Sequence, residues 1–113
     1  MTIGLFISES LLKQPFDLTP YIPADTTEII FNGDDRIFEC IDDYLESRGE
    51  DIPLYEINLR PEVYGDGVWM LENDRIIRRA DRVVAIWDGT SKKTENAIDN
   101  AMLAGKPVQV WRI

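Results

Sequence analysis

Histidine is absent from this chain of 113 residues, and cysteine occurs once, as Cys40. Without an imidazole the commonest general base and metal ligand is missing, and a single thiol cannot close an internal disulfide. Cations are scarce as well. Twelve Lys and Arg stand against 21 Asp and Glu, a formal net charge of −9. Unaided binding to nucleic acid or to an anionic membrane needs a basic surface, so neither is expected as a partner. No apolar run approaches the roughly 18 residues of a transmembrane helix, and the N-terminus lacks the basic, apolar, small-residue order of a signal peptide. A cytoplasmic location is the expectation. There is no GxGxxG after the first apolar run, no Walker-type GxxxxGK[ST], no CxxC and no GxSxG. No motif therefore asks for a cofactor or supplies a nucleophile.

What is present is a regular alternation of short β-branched runs with helical patterns. The clearest unit runs from Arg79 to Ile113. Arg82 to Trp87 reads as a buried strand that stops at Asp88-Gly89, where a glycine turns the chain without steric cost. Thr94, Ala97, Ile98 and Ala101 then recur at helical spacing, with Ser91 or Thr90 as N-cap and Gly105 followed by Pro107 as the stop. Val108 to Trp111 is a second strand. A strand, a helix and a strand joined this tightly form a right-handed βαβ unit and imply a parallel sheet.

The rest of the chain fits the same scheme. Thr2 to Ile7 is an apolar strand ending at Ser8-Glu9-Ser10, and Glu28 to Phe31 is a second, followed by the turn Asn32-Gly33-Asp34. Between them Pro15, Pro20 and Pro23 break any long helix and leave an irregular connection with at most a short helical turn. The helix after Asp34 is predicted from Ile37, Phe38, Ile41, Tyr44 and Leu45 on one face, with Asp34 as N-cap and Gly49 as the C-terminal stop. Cys40 falls on the apolar face as a core thiol. The acids Asp34, Asp35, Asp42 and Asp43 suggest a metal site, although a solvated helix face accounts for them more simply. Pro53 to Ile57 is a third strand and Asn58 to Gly67 a loop. Val68 to Ala80 is a helix with Trp69, Ile76, Ile77 and Ala80 facing inward.

The expected architecture is a single α/β domain over residues 1–113: Rossmann-like, doubly wound, with a mostly parallel five-stranded sheet flanked by helices. In such sheets ligands bind beyond the carboxyl ends of the strands, at the point where the strand order reverses. Ser8 and Glu9 after the first strand, and Asp88 to Thr94 after the fourth, are therefore placed at the ligand edge.

Several stretches resemble the SLOG superfamily of Rossmann-like proteins. They are Ala80-Asp81, Trp87-Asp88-Gly89, Ser91, Thr94 and Ala104 to Val108, with Phe16 to Pro23, Thr27 to Ile30 and Tyr64-Gly65 in the N-terminal part. That superfamily joins Smf/DprA DNA-processing proteins, LOG phosphoribohydrolases and small stand-alone bacterial domains of the YspA-like type, and the last are the nearest likeness. The resemblance implies a site for a nucleotide or nucleotide-derived ligand formed by Ser8, Glu9, Asn32, Gly33, Asn73, Asp88, Gly89, Ser91 and Thr94. It also suggests a homodimer. Departures from the pattern are concentrated at that site. Asn32-Gly33-Asp34 replaces a glycine-rich turn, Glu72-Asn73-Asp74-Arg75 replaces an Arg-Asn-Arg-Glu run, and Ser91-Lys92-Lys93-Thr94 has lost a glycine. Phosphate binding is expected to weaken accordingly, unless Lys92 or Lys93, more simply read as solvated surface lysines, compensates.

The catalytic glutamate of the hydrolases falls on Ala97, and Glu95 points about 160° away on a helix of 3.6 residues per turn. The expected role is thus binding or sensing without catalysis. The alternatives are an enzyme acting on nucleosides or nucleotides through Glu9 and Asp88, or an interaction module using Trp69, Trp87 and Trp111.

Overall fold

The computed structural model describes all 113 residues. Five strands form one sheet in the order β3-β2-β1-β4-β5, and every pairing is parallel. The strands are β1 (Thr2–Ile7), β2 (Glu28–Asn32), β3 (Leu54–Ile57), β4 (Arg82–Trp87) and β5 (Val108–Arg112); the helices are α1 (Asp35–Arg48), α2 (Pro61–Tyr64), α3 (Val68–Arg79) and α4 (Lys92–Leu103). Strand order reverses at β1, which lies between β2 and β4. The expected fold class is what the chain adopts.

Burial on both faces explains why the central strands read as continuous apolar runs instead of alternating ones. Val83, Val84, Ala85 and Ile86 of β4 are all fully buried. One face carries Ile3, Leu5, Ile29, Phe31, Val84 and Ile86 against Ile37, Ile41 and Leu45 of α1. The other carries Phe6, Ile30, Val83 and Ala85 against Ile76 and Ile77 of α3 and Ala97, Ile98 and Ala101 of α4. Close approach of α3 depends on Gly4, where an added Cβ would lie 2.9 Å from Ile76 Cγ2 and 3.2 Å from Ala80 Cβ.

The crossover from β1 to β2 contains only a 3-10 turn, Glu9–Leu12, before irregular chain to Thr27. Leu12, Leu18 and Ile22 are buried along it and cover the sheet as a helix stripe otherwise would. Phe16 stacks on Tyr21, and Tyr21 meets Trp111 edge-on at 5.3 Å between ring centroids.

Three expectations need correction. Phe38 is 45 % exposed. It follows Ile37 on the rim of the α1 stripe and meets the core residue Phe31 in a tilted ring contact. Trp69 is half-buried, because Val68 at the start of α3 takes the inward position beside Asn73, Ile76 and Ile77. The stretch between β3 and α3 is not all loop, since Pro61 occupies the first turn of α2, a position where its missing N–H costs nothing. Asp34 caps α1 as expected, with its carboxylate accepting the Arg36 N–H, and Gly49 ends that helix at φ 64°. The four acids around α1 do not converge: Asp34 is bound by Arg36, and Asp35, Asp42 and Asp43 are exposed.

Candidate functional site

At the carboxyl ends of β1 and β4 one hydroxyl joins three elements. Ser8 is fully buried. Its N–H continues the sheet by donating to Ile86 O at 3.0 Å. Its Oγ accepts the Asp88 N–H at 3.1 Å and lies 3.0 Å from Thr94 Oγ1, itself buried in the first turn of α4. A serine after β1 thereby fixes where the β4–α4 loop leaves the sheet.

Asp88 organises that loop from within. Its Oδ1 accepts the N–H groups of Thr90 and Ser91, both at 2.8 Å, the local turn that Asp side chains favour. Its Oδ2 accepts the hydroxyl of Ser10. The Ser10 hydroxyl first, and then the two backbone donors, hold the Asp88 carboxyl far below its ordinary value of 3.8. A group so firmly ionised is a poor general acid or base at neutral pH, which calls for a pKa near the working pH. Ser91 then caps α4, with Oγ facing the Thr94 N–H at 3.4 Å and the Thr94 hydroxyl at 3.3 Å. The Trp87 indole N–H donates to Ser91 O at 3.2 Å. Gly89 has φ 85°, and a Cβ there would fall 2.6 Å from Arg112 Nε.

Across the reversal point, β2 ends at Asn32. Its Oδ1 is buried and meets no donor, an exception among buried polar atoms, most of which are bonded. Gly33 turns beside Asn58, whose side chain would lie 2.7 Å from any Cβ placed there. Asn73 of α3 is 3 % exposed and donates to Lys93 O at 3.0 Å and Asn96 Oδ1 at 3.2 Å, tying α3 to the start of α4.

Between these elements lies a cleft of about 30 Å³ lined by Glu9, Asn32, Asp34, Asn73, Ser91, Lys93 and Thr94 over a floor of Phe6, Ile7 and Ile37. It is narrow enough that water fits and a nucleobase does not. The Lys93 ammonium and the Glu9 carboxylate, both on its lining, pair at 3.6 Å. The pKa of the Asp34 carboxyl is lowered, chiefly by the Arg36 side chain that donates to it, and the nearby cations Lys93 and Arg36 are both paired.

Of the residues expected at the site, Glu9, Asn32, Asn73, Ser91 and Thr94 come together on the cleft. Ser8 lies beneath them, Gly33 faces Asn58, and Asp88 and Gly89 stand on the outer side of the β4–α4 loop with Ser10 and Arg112. Arg112 is the residue that sequence reasoning missed. The parallel register pairs it with Trp87, so the last residue of β5 arrives beside the loop that follows β4. Counting that register forward from the βαβ unit would have found it. A larger groove, about 460 Å³, opens between Pro15–Thr19 and α1 at Cys40 and Tyr44. It lies along the helix face and not at the strand ends, and its Asp17 carboxylate is occupied by Thr19.

The chain matches no family model, no curated protein and no solved structure.

Proposed function

We propose that this domain binds a nucleotide-derived small molecule at the carboxyl ends of β1, β2 and β4 without transforming it, as a SLOG-like domain whose site has diverged. The observation that carries the reading is the Asn32 amide. Its oxygen is buried at the strand-order reversal with no donor, beside Asn73, Thr94 and Glu9 on the same cleft. An orphaned acceptor costs stability in the free protein and gains a partner when a ligand brings a donor. Exocyclic amines and ribose hydroxyls are such donors, and an ionised phosphate is not.

The charges agree with that polarity. Glu9 and Asp34 line the cleft, and Lys93 is held by Glu9 and Arg36 by Asp34. A donor group of the nucleoside part, an exocyclic amine or a ribose hydroxyl, suits the mouth of the cleft better than a phosphate does. Entry requires the Lys93–Glu9 pair to separate, and exposed ion pairs are worth about 0–1 kcal/mol, so opening is inexpensive.

Two features speak against catalysis on a glycosidic bond. Ala97 is fully buried in the core between sheet and helices, where a carboxylate would be stranded. Asp88 spends both carboxylate oxygens on the loop.

The test is a titration of the purified protein with adenosine, other nucleosides, their mono- and diphosphates, ADP-ribose and nicotinamide dinucleotides, followed by melting temperature and by NMR. A native-state ligand raises the melting temperature by mass action. The expected result is a shift with at least one nucleoside-containing compound that disappears in Asn32→Ala and leaves the compound chemically unchanged. No shift with any compound at millimolar concentration refutes the binding reading, and steady conversion of the compound refutes the non-catalytic part.

A further inference from the structure

We propose that two copies of this chain pair through the free edges of β5 across a two-fold axis, so that one continuous sheet runs through both. The inference is independent of what the cleft binds.

β5 is the last strand of the sheet and pairs only with β4. Pro107 O accepts from Val83 N, and Ile113 N donates to Trp87 O. Backbone groups alternate sides along a strand, so Pro107, Gln109, Trp111 and Ile113 address β4 while Val108, Val110 and Arg112 turn their N–H and C=O outward. Edges of this kind are usually blunted by a bulge, a proline or a charged side chain. Here the register with β4 is unbroken, Pro107 faces inward, and Lys106 turns its ammonium back onto Ala80 O at 2.7 Å and Arg78 O at 3.4 Å.

Beside the edge, apolar side chains are uncovered. Val110 is 42 % exposed, Met102 65 % and Leu103 86 %. Met102, Pro107, Val108 and Val110 form a shallow groove of about 520 Å³ where the end of α4 meets the strand.

Charge selects the occupant. On a chain of net charge −9, the stretch from Ala101 to Ile113 contains no acid; Lys106 and Arg112 are its ionisable side chains. A second copy meets acidic repulsion elsewhere on the surface and none here. The opposite edge, β3, is four residues long with Glu56 exposed, and the Arg79 guanidinium covers Tyr55 at 3.9 Å. β5 is a residue longer, carries no acid, and has Arg112 at its end as its one charged side chain.

The edge is also complementary to itself. With the axis at Val110, an antiparallel copy sets Val110 against the partner's Val110 and Val108 against the partner's Arg112. Every outward N–H and C=O of the three residues then finds a partner, and the two arginines sit at opposite ends of the seam.

Sedimentation of the full chain over the micromolar range tests the proposal, with hydrogen exchange on the same samples. The expected species has twice the 13.0 kDa chain mass, with the Val108, Val110 and Arg112 amides protected. Val110→Lys places two ammonium groups face to face and is expected to weaken the dimer by about tenfold or more. Met102→Glu, at an exposed position the fold does not need, is expected to act in the same direction. A wild-type chain sedimenting at 13.0 kDa throughout overturns the proposal. So does a dimer that persists in both folded variants, or one whose β5 edge amides exchange freely.

Discussion

Replacing Asp88 by alanine gives the sharpest separation between a carboxylate that organises a loop and one that reacts. The substitution removes the acceptor for the Ser10 hydroxyl and for the Thr90 and Ser91 N–H groups. Hydrogen bonds to a charged group are worth about 1.5–3 kcal/mol each where water is excluded. This loop faces solvent in part, and water satisfies the freed donors, so the sum must be discounted heavily. Loss of a capping acceptor alone costs about 1 kcal/mol. The expected destabilisation is therefore about 1–3 kcal/mol at neutral pH, and each kcal/mol lowers the melting temperature of a domain this size by roughly 3–6 °C.

The pH dependence carries the stricter test. The Asp88 carboxyl is held below its ordinary value of 3.8 in the folded chain. Its contribution is thus fully present above the unfolded value and is lost as pH falls from there toward the folded one. Urea unfolding of wild type and Asp88→Ala, run side by side at neutral pH and at about pH 3, measures the difference. The gap between the two proteins should be widest at neutral pH and shrink in acid. A gap that is absent at neutral pH, or unchanged in acid, refutes the role assigned to Asp88.

Gly4→Ala should destabilise the fold by about 1–3 kcal/mol, read by urea unfolding, because the new Cβ meets Ile76 and Ala80 at 2.9 and 3.2 Å. Asn32→Ala should behave oppositely, leaving stability within about 0.5 kcal/mol of wild type or raising it, since an acceptor without a donor is removed; a large loss in the same assay would mean that Asn32 already has a structural partner. Gly89→Ala should cost about 1–2 kcal/mol for its left-handed backbone, and should release Arg112 from the loop, visible in NMR as a shift of the Arg112 side-chain resonances. Cys40 is buried, and desolvation raises its thiol pKa. Its reaction with a disulfide reagent should therefore be slow in the native protein and fast in urea, and fast native labelling would contradict the packing of α1.

Local signals sufficed for this fold because each strand of the sheet is bounded by something chemical. Thr2–Ile7 and Arg82–Trp87 begin and end where the apolar runs do, and Asp34 and Gly49 bound α1 through a side-chain cap and a left-handed glycine. Where such a boundary is weak, local sequence does not determine the structure. Phe38 carries the same apolar signal as Ile37, yet successive residues lie about 100° apart around a helix, and only Ile37 falls on the covered side of α1. The single turn of α2 was hidden because Pro61 signals a loop as readily as a helix start.

The candidate site was legible to the same degree and for the same reason. Ser8, Asp88, Ser91 and Thr94 stand at strand and helix ends, and a parallel sheet brings those ends together. Their hydrogen bonds, however, are mostly spent on one another. What distinguishes a ligand site from a well-tied loop is the residue left without a partner, and spacing cannot reveal that. Asn32 is expected at the site from the resemblance, but its lack of a donor emerges only once the packing of β2 against its neighbours is known. Arg112 emerges only once β5 is set in register with β4, where Gly89 leaves room for its guanidinium. The same register that brings Arg112 to the site turns its backbone toward the open edge of the sheet. The proposed partner strand would pair with the Arg112 backbone while its guanidinium stays beside Gly89, outside the cleft.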